Sequence, residues 1–250
     1  MIVALMIGRA GSTGFPGKNV YPVLGRPLAA YPLMAAQASR HVDRLYVSTD
    51  SPEIMAIGRR HGAELLHRPP ELATNKALGE DVFAHGYFDI KKKLAVEGKD
   101  IELVVLLFAN GATISGDLID QGIQALRDDA ALDSAVTTSV YNMWSPLRAR
   151  KLDKDGCLQP FVPFETFGDP ATLNCDRDSQ GDVYFADMSV SIVRPRCLEN
   201  MRAGLLPQKW MGQRIHPIPS WGGCDVDYEW QLPGVEFWLR AHGFTDAGQA

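Results

Sequence analysis

An uninterrupted apolar run at 2–7, IVALMI, leads directly into a loop at 8–19 that reads GRAGSTGFPGKN. A short, wholly apolar run ended by glycine is the pattern of a strand covered on both faces, as in the middle of a parallel sheet. Parallel neighbours need crossover helices, so the rest of the chain should alternate between the two kinds of element. The pattern predicts a helix at 27–39 with Pro27 in its first turn, a strand at 44–49, a helix at 52–60, a strand at 63–67, a helix at 78–95 and a strand at 102–108. A helix at 116–127 follows, with Leu118, Ile119, Ile123 and Leu126 on one face, and then a strand at 133–140. This order specifies an α/β fold with a mainly parallel sheet.

Between 141 and 182 the texture changes. Trp144, Phe161, Phe164 and Phe167 lie among Pro146, Pro160, Pro163 and turn signals such as Asp155-Gly156. The segment reads as a β-rich excursion whose aromatic residues form either a dimer arm or a locally packed flap. A strand at 183–193, a helix at 196–201 and a last helix at 229–241 complete a single domain over 1–250.

Composition removes several classes of function. With 46% hydrophobic and 22% charged residues the chain is an ordinary globular one, and its net charge of -5 has the wrong sign for a general nucleic-acid or anionic-membrane binder. Its 4 cysteines form no CxxC pair, which argues against a zinc knuckle or disulfide scaffold and for a reduced, cytoplasmic setting. The longest apolar run, 103–109, is too short to span a bilayer.

Three constellations carry chemistry. Glycines after a first strand let backbone N–H groups approach an anion, and here Arg9 and Lys18 flank them. The loop is neither a Walker loop, since Lys18 is followed by Asn19, nor a dinucleotide fingerprint, since Ala10 stands where the second glycine should be. It suits a triphosphate, the bland alternative being a β-to-α turn with solvated charges. Second, Asp225-Val226-Asp227 in an extended segment would place two carboxylates on one face, about 6.6 Å apart along the strand. Such a pair suits Mg²⁺, which accepts one or two carboxylates plus substrate phosphates, or else merely caps the following helix. Third, Arg148, Arg150 and Arg177 offer planar forks for an acidic ligand. The six histidines show no metal-ligand spacing, and no G-x-S-x-G is present.

With this loop, Val47-Ser48-Thr49-Asp50, Arg68-Pro69-Pro70-Glu71-Leu72-Ala73-Thr74 and the late Asp-Val-Asp in order, the chain resembles the CMP-sugar-acid synthetases, cytidylyltransferases that activate sialic, legionaminic and related acids and deoxy-octulosonate. The resemblance implies a Rossmann-like three-layer nucleotidyltransferase fold with a dimerisation excursion, acting as a homodimer on CTP with Mg²⁺. It implies nucleotide contacts from Gly8, Arg9, Ala10, Gly11, Lys18, Asn19 and Arg68, catalytic roles for Arg9, Lys18 and Asp227, and metal ligation by Asp225 and Asp227. It implies that Arg148, Arg177, Asn110 and Asp187 meet a small acidic acceptor.

The departures lie mostly on the acceptor side. Thr13 replaces a lysine that many relatives carry in the loop. The family's Gln-Pro-Thr-Ser-Pro-Leu-Arg segment is replaced by Phe108-Ala109-Asn110-Gly111-Ala112-Thr113-Ile114, an Asn-Gly-Ala stretch by Asp187-Met188-Ser189, and two serines near the base by Leu78 and Gly79. The expected reaction is in-line attack of an acceptor oxygen on the α-phosphorus of CTP with release of pyrophosphate. The altered sugar segment also admits a small phosphonate such as phosphonoformate, and a catalytically silent nucleotide-binding protein is the reading outside this enzyme class.

Overall fold

The computed structural model describes residues 1–11, 14–74, 76–178 and 180–247. β1 (Ile2–Ile7) is followed by a hairpin of β2 (Pro22–Val23) and β3 (Arg26–Pro27), then α1 (Ala30–Ala38), β4 (Arg44–Ser48), α2 (Pro52–Arg60) and β5 (Glu64–Leu66). Next come α3 (Gly79–Val96), β6 (Leu103–Phe108), α4 (Gly116–Asp128) and β7 (Ser134–Val140). A second small hairpin, β8 (Arg150–Leu152) with β9 (Leu158–Pro160), precedes β10 (Tyr184–Val193), α5 (Pro195–Glu199), β11 (Ile215–Ser220) and α6 (Leu232–Ala241).

Among the described residues the main sheet has 7 strands in the order β11-β7-β10-β6-β1-β4-β5. All run parallel except β10, which is antiparallel to both β6 and β7. The six apolar residues of β1 alternate between two cores. Ile2, Ala4 and Met6 pack with α1, α2, α4 and α6, whereas Val3, Leu5 and Ile7 pack with α3 and α5. This is the three-layer α/β arrangement expected for a strand with no polar face. The boundaries of α2 are set locally: Ser51 Oγ accepts from the Ile54 amide, and Pro52 opens the first turn.

Three expectations require correction. Pro27 lies in the β2–β3 hairpin, not in the first turn of α1, because Leu24 (φ 48°) and Gly25 (φ 72°) form a left-handed two-residue turn of the kind that closes tight hairpins. β11, which contains Pro217 and Pro219, is not among the strands expected from the sequence. It is an edge strand bonded on one side to β7, and such an edge tolerates residues without an N–H. Among its described residues the excursion is poor in β structure, with only the three-residue strands β8 and β9 among 3-10 turns, two of them opened by proline. Met143, Trp144, Leu152, Leu158 and Phe161 are exposed on it.

The lone antiparallel strand positions the site. Tyr184 pairs with Val140, so the excursion leaves and rejoins the sheet at the end where β1, β6 and β11 also finish. The Gly-rich loop, the 108–114 segment and the Asp-Val-Asp segment therefore gather at one edge. In open α/β sheets ligands bind at the carboxyl ends of the strands, where connections diverge to opposite sides.

Candidate active site

Two adjoining cavities of about 180 and 210 Å³ open at that edge, and both are lined by Arg9, Lys18 and Asn19. The first is also lined by Gly8, Arg68, Gly79, Phe108 and Asn110, and the second by Ala10, Gly11 and Gly17. All the expected nucleotide contacts thus border one region. Gly8 is required where β1 meets the end of β6, because a Cβ there would stand 2.6 Å from that of Ala109. The Ala10 amide donates to Asp50 Oδ1 at 2.9 Å, which holds the loop down against the end of β4. Thr13 lies outside the described residues.

Arg68 is buried, and its guanidinium donates to Ser48 Oγ at 3.2 Å and to the Ser48 carbonyl. Burial pulls its pKa down and Arg9 adds to that, while Asp50 opposes them. An anion at the cavity would therefore offset the cost of burying this guanidinium. Asn19 Nδ2 donates to the Arg9 carbonyl at 3.2 Å, and its buried Oδ1 has no hydrogen-bond partner among the described residues.

Lys18 and the acid pair meet. Lys18 Nζ lies 2.5 Å from Asp227 Oδ1, with the lysine side chain 11% exposed and the aspartate 56%. Gly14 packs so close to this segment that a Cβ on it would be 2.9 Å from the Asp227 carbonyl. Between the two aspartates Val226 is fully buried, while Asp225 is half-buried and Asp227 exposed. Burial, and next the charge of Asp227, push the Asp225 carboxyl above the ordinary range, with Lys18 and Asn110 opposing. Among the described residues no group of three or more His, Cys, Asp or Glu gathers in a metal-binding arrangement. The donor set is two hard carboxylates, one already drawn to an ammonium, and it fits a cation that takes its remaining ligands from elsewhere.

Buried hydroxyls hold the segment in place. Val226 N donates to the Asn110 carbonyl and Asn110 Nδ2 to the Val226 carbonyl, each at 3.0 Å. Cys224 N donates to Thr113 Oγ1 at 3.0 Å, Gly223 N to Ser139 Oγ at 3.2 Å and Tyr141 Oη to the Gly223 carbonyl at 3.1 Å. Burial and the nearby carboxylates push the Cys224 thiol up to about 11, which keeps it an unreactive neutral group. Asp50 and Thr113 were named in the sequence only within motifs, without these roles, and Ser139 was not singled out. The alternation of Thr137 and Ser139 in β7, which puts two hydroxyls on one face, was the available signal.

The expected acceptor residues divide. Asn110 lines the cavity but spends its amide on Val226. Asp187 is 5% exposed, and its carboxylate already accepts from Thr137, Ser139 and the Ser189 amide, so no oxygen is directed at a ligand. Arg148 and Arg177 stand on the excursion and line neither of the two cavities. Arg148 donates to the Cys175 carbonyl and borders a separate cavity of about 610 Å³ with Arg150, which lies 5.4 Å over the Phe164 ring. Arg177 is exposed and paired with its neighbour Asp178 at 3.0 Å. Among the described residues no helix is long and apolar enough to cross a membrane.

A family model described as cytidylyltransferase matches residues 3–153. Over 190 residues the chain is 39% identical to the CMP-N,N'-diacetyllegionaminic acid synthase of Legionella pneumophila, covering 74% of this chain and 77% of that protein. It is 39% identical over 84 residues to an N-acylneuraminate cytidylyltransferase of Escherichia coli, covering 34% of this chain. The chain spans only a minor part of some curated relatives, 20% of that Escherichia coli protein and 28% of a bifunctional pseudaminic acid cytidylyltransferase of Helicobacter pylori. Its fold resembles that of CMP:2-keto-3-deoxy-manno-octonic acid synthetase complexed with CTP, with a TM-score of 0.63 at 15% identity, covering 96% of this chain and 99% of the other.

Proposed function

Because the chain belongs to the cytidylyltransferase family, we propose that it transfers CMP from CTP to a nonulosonic acid of the sialic or legionaminic type, or a related keto-sugar acid, releasing pyrophosphate. The observation that carries this reading is the 2.5 Å contact between Lys18 of the Gly-rich loop and Asp227 of the late acid pair, at the mouth of a cavity bordered by Arg9 and Arg68.

The charges suggest a division of labour. Arg9, Arg68 and the loop amides attract the nucleotide phosphates, and Lys18 is poised to pass from Asp227 to the phosphate that accumulates charge. Preorganised donors of this kind are the main source of rate in phosphoryl transfer. The unpaired Asn19 Oδ1 suits a ribose hydroxyl. Asp227, the more exposed carboxylate, is the candidate proton acceptor for the attacking hydroxyl. Asp225 and Asp227 would hold Mg²⁺, which when bound neutralises phosphate charge.

Arg148 and Arg177 line neither loop cavity, so acceptor binding by them would be supplied across a homodimer. A homodimer would also cover the exposed Met143, Trp144 and Phe161. The test is pyrophosphate release with CTP and Mg²⁺ against N-acetylneuraminic, legionaminic and deoxy-octulosonic acids, with phosphonoformate alongside and UTP, ATP and GTP as controls. Turnover with a sugar acid supports the reading. Turnover with phosphonoformate alone retains the nucleotide assignments and overturns the acceptor.

A further inference from the structure

We propose that Asp187 is a positioning residue whose carboxylate fixes the Asp225-Asp227 segment over the sheet. The inference rests on the reaction proposed above, but its structural core stands apart from it. β10 is interrupted by a bulge between Ala186 and Ser191, with Met188 at φ 63°. The bulge turns the Asp187 carboxylate inward, where Thr137 Oγ1 donates to Oδ1 at 2.5 Å, the Ser189 amide to Oδ1 at 3.1 Å and Ser139 Oγ to Oδ2 at 2.8 Å.

Gly223 lies directly against that carboxylate. A Cβ on Gly223 would fall 2.1 Å from Asp187 Oδ2 and 2.4 Å from Cγ, closer than real Cβ atoms come. Ser139 Oγ links the two, donating to Asp187 and accepting from Gly223 N at 3.2 Å. One buried side chain thus orients the hydroxyl that anchors the backbone two residues before Asp225. A non-glycine residue held in the left-handed region within a strand is strained, so the surrounding structure must over-determine it. The bulge and the glycine together bring Asp187 and the segment into contact.

Four variants test this: Asp187→Ala, Asp187→Asn, Gly223→Ala and the Asp187→Ala/Gly223→Ala double. In Asp187→Ala, amide hydrogen exchange over 221–228 should quicken at least about tenfold with the strands unchanged. Its kcat should fall about 10–100-fold, as when a group supporting a ligating residue is lost, while the KM of each substrate stays within about threefold. Asp187→Asn keeps the shape and the acceptor for Ser189, and should retain at least a third of kcat. Gly223→Ala should be as impaired as Asp187→Ala, and the double variant no worse than either, because the methyl fills the space the carboxylate left.

A raised acceptor KM with unchanged kcat in Asp187→Ala would make the residue an acceptor contact and overturn the proposal. So would unchanged exchange over 221–228, or effects that multiply in the double variant. Should Asp187→Ala not fold, the contrast between Gly223→Ala and Asp187→Asn decides, since only the former should loosen the segment. If the unsubstituted protein turned over no acid, the reaction would be refuted while the exchange data still judged the positioning.

Discussion

Lys18 and Asp227 are 209 residues apart in sequence, yet Nζ and Oδ1 lie 2.5 Å apart, joining the loop after the first strand to the segment after the last. An ion pair so open to solvent on its acidic side is worth at most about 1 kcal/mol. For the proposed reaction its significance is positional, because it keeps an ammonium at the edge of the cavity.

Lys18→Met should therefore lower kcat by about 10²–10³-fold, the usual cost of deleting one preorganised charge donor. Thermal stability should change by less than about 4 °C, from roughly 2–4 °C per kcal/mol for a domain of this size. Steady-state pyrophosphate release and a melting curve on the same preparation check both.

Asp225→Asn and Asp227→Asn should separate stability from activity. Both should lose turnover. Burial and the neighbouring charge disfavour the ionised Asp225, so its amide should raise the melting temperature by a few degrees. Asp227→Asn removes the partner of the buried Lys18 ammonium and should lower it. Melting temperatures that moved in the same direction would contradict this assignment.

The excursion is expected to mediate a homodimer. Replacing Trp144 and Phe161, 63% and 59% exposed, with Asp should give a monomer by sedimentation and raise the acceptor KM far more than that for CTP. Arg177→Ala should raise the acceptor KM selectively while leaving the dimer intact.

Far from the site, Asp120 of α4 accepts from Ser39 Oγ at 2.6 Å and from Arg40 Nε at 2.8 Å, tying α4 to the end of α1. Burial opposes its ionisation, but these bonds outweigh burial and hold its pKa below the ordinary 3.8. A carboxyl with a lowered folded pKa contributes stability above its unfolded value and loses it as pH falls through the folded one. Asp120→Ala should cost about 1.5–3 kcal/mol at neutral pH, lose part of the acid-side fall in melting temperature, and leave turnover unchanged.

Much of this was readable in the chain. The faces of β1 follow from six apolar residues in a row, and the limits of α2 from Ser51 and Pro52. The loop cations and the acid pair were legible because their chemistry is local. β11 and the β2–β3 hairpin were hidden by prolines whose tolerance depends on which strand is at the edge and which turn closes. Asp187 was expected as an acceptor contact, and its buried surroundings were not readable because Thr137, Ser139 and Gly223 lie 36 to 50 residues away and meet it only through the sheet. Arg148 and Arg177 carry the right chemistry, but whether they face this chain's cavity or another's is decided by the path of the excursion.

The most direct test is phosphorus NMR of CTP and Mg²⁺ with N,N'-diacetyllegionaminic or N-acetylneuraminic acid, comparing the unsubstituted protein with Lys18→Met. A new phosphodiester signal should grow in step with pyrophosphate, at least about 10²-fold slower in the variant. CTP that is bound but never consumed with any sugar acid, or equal rates in the two proteins, would contradict it.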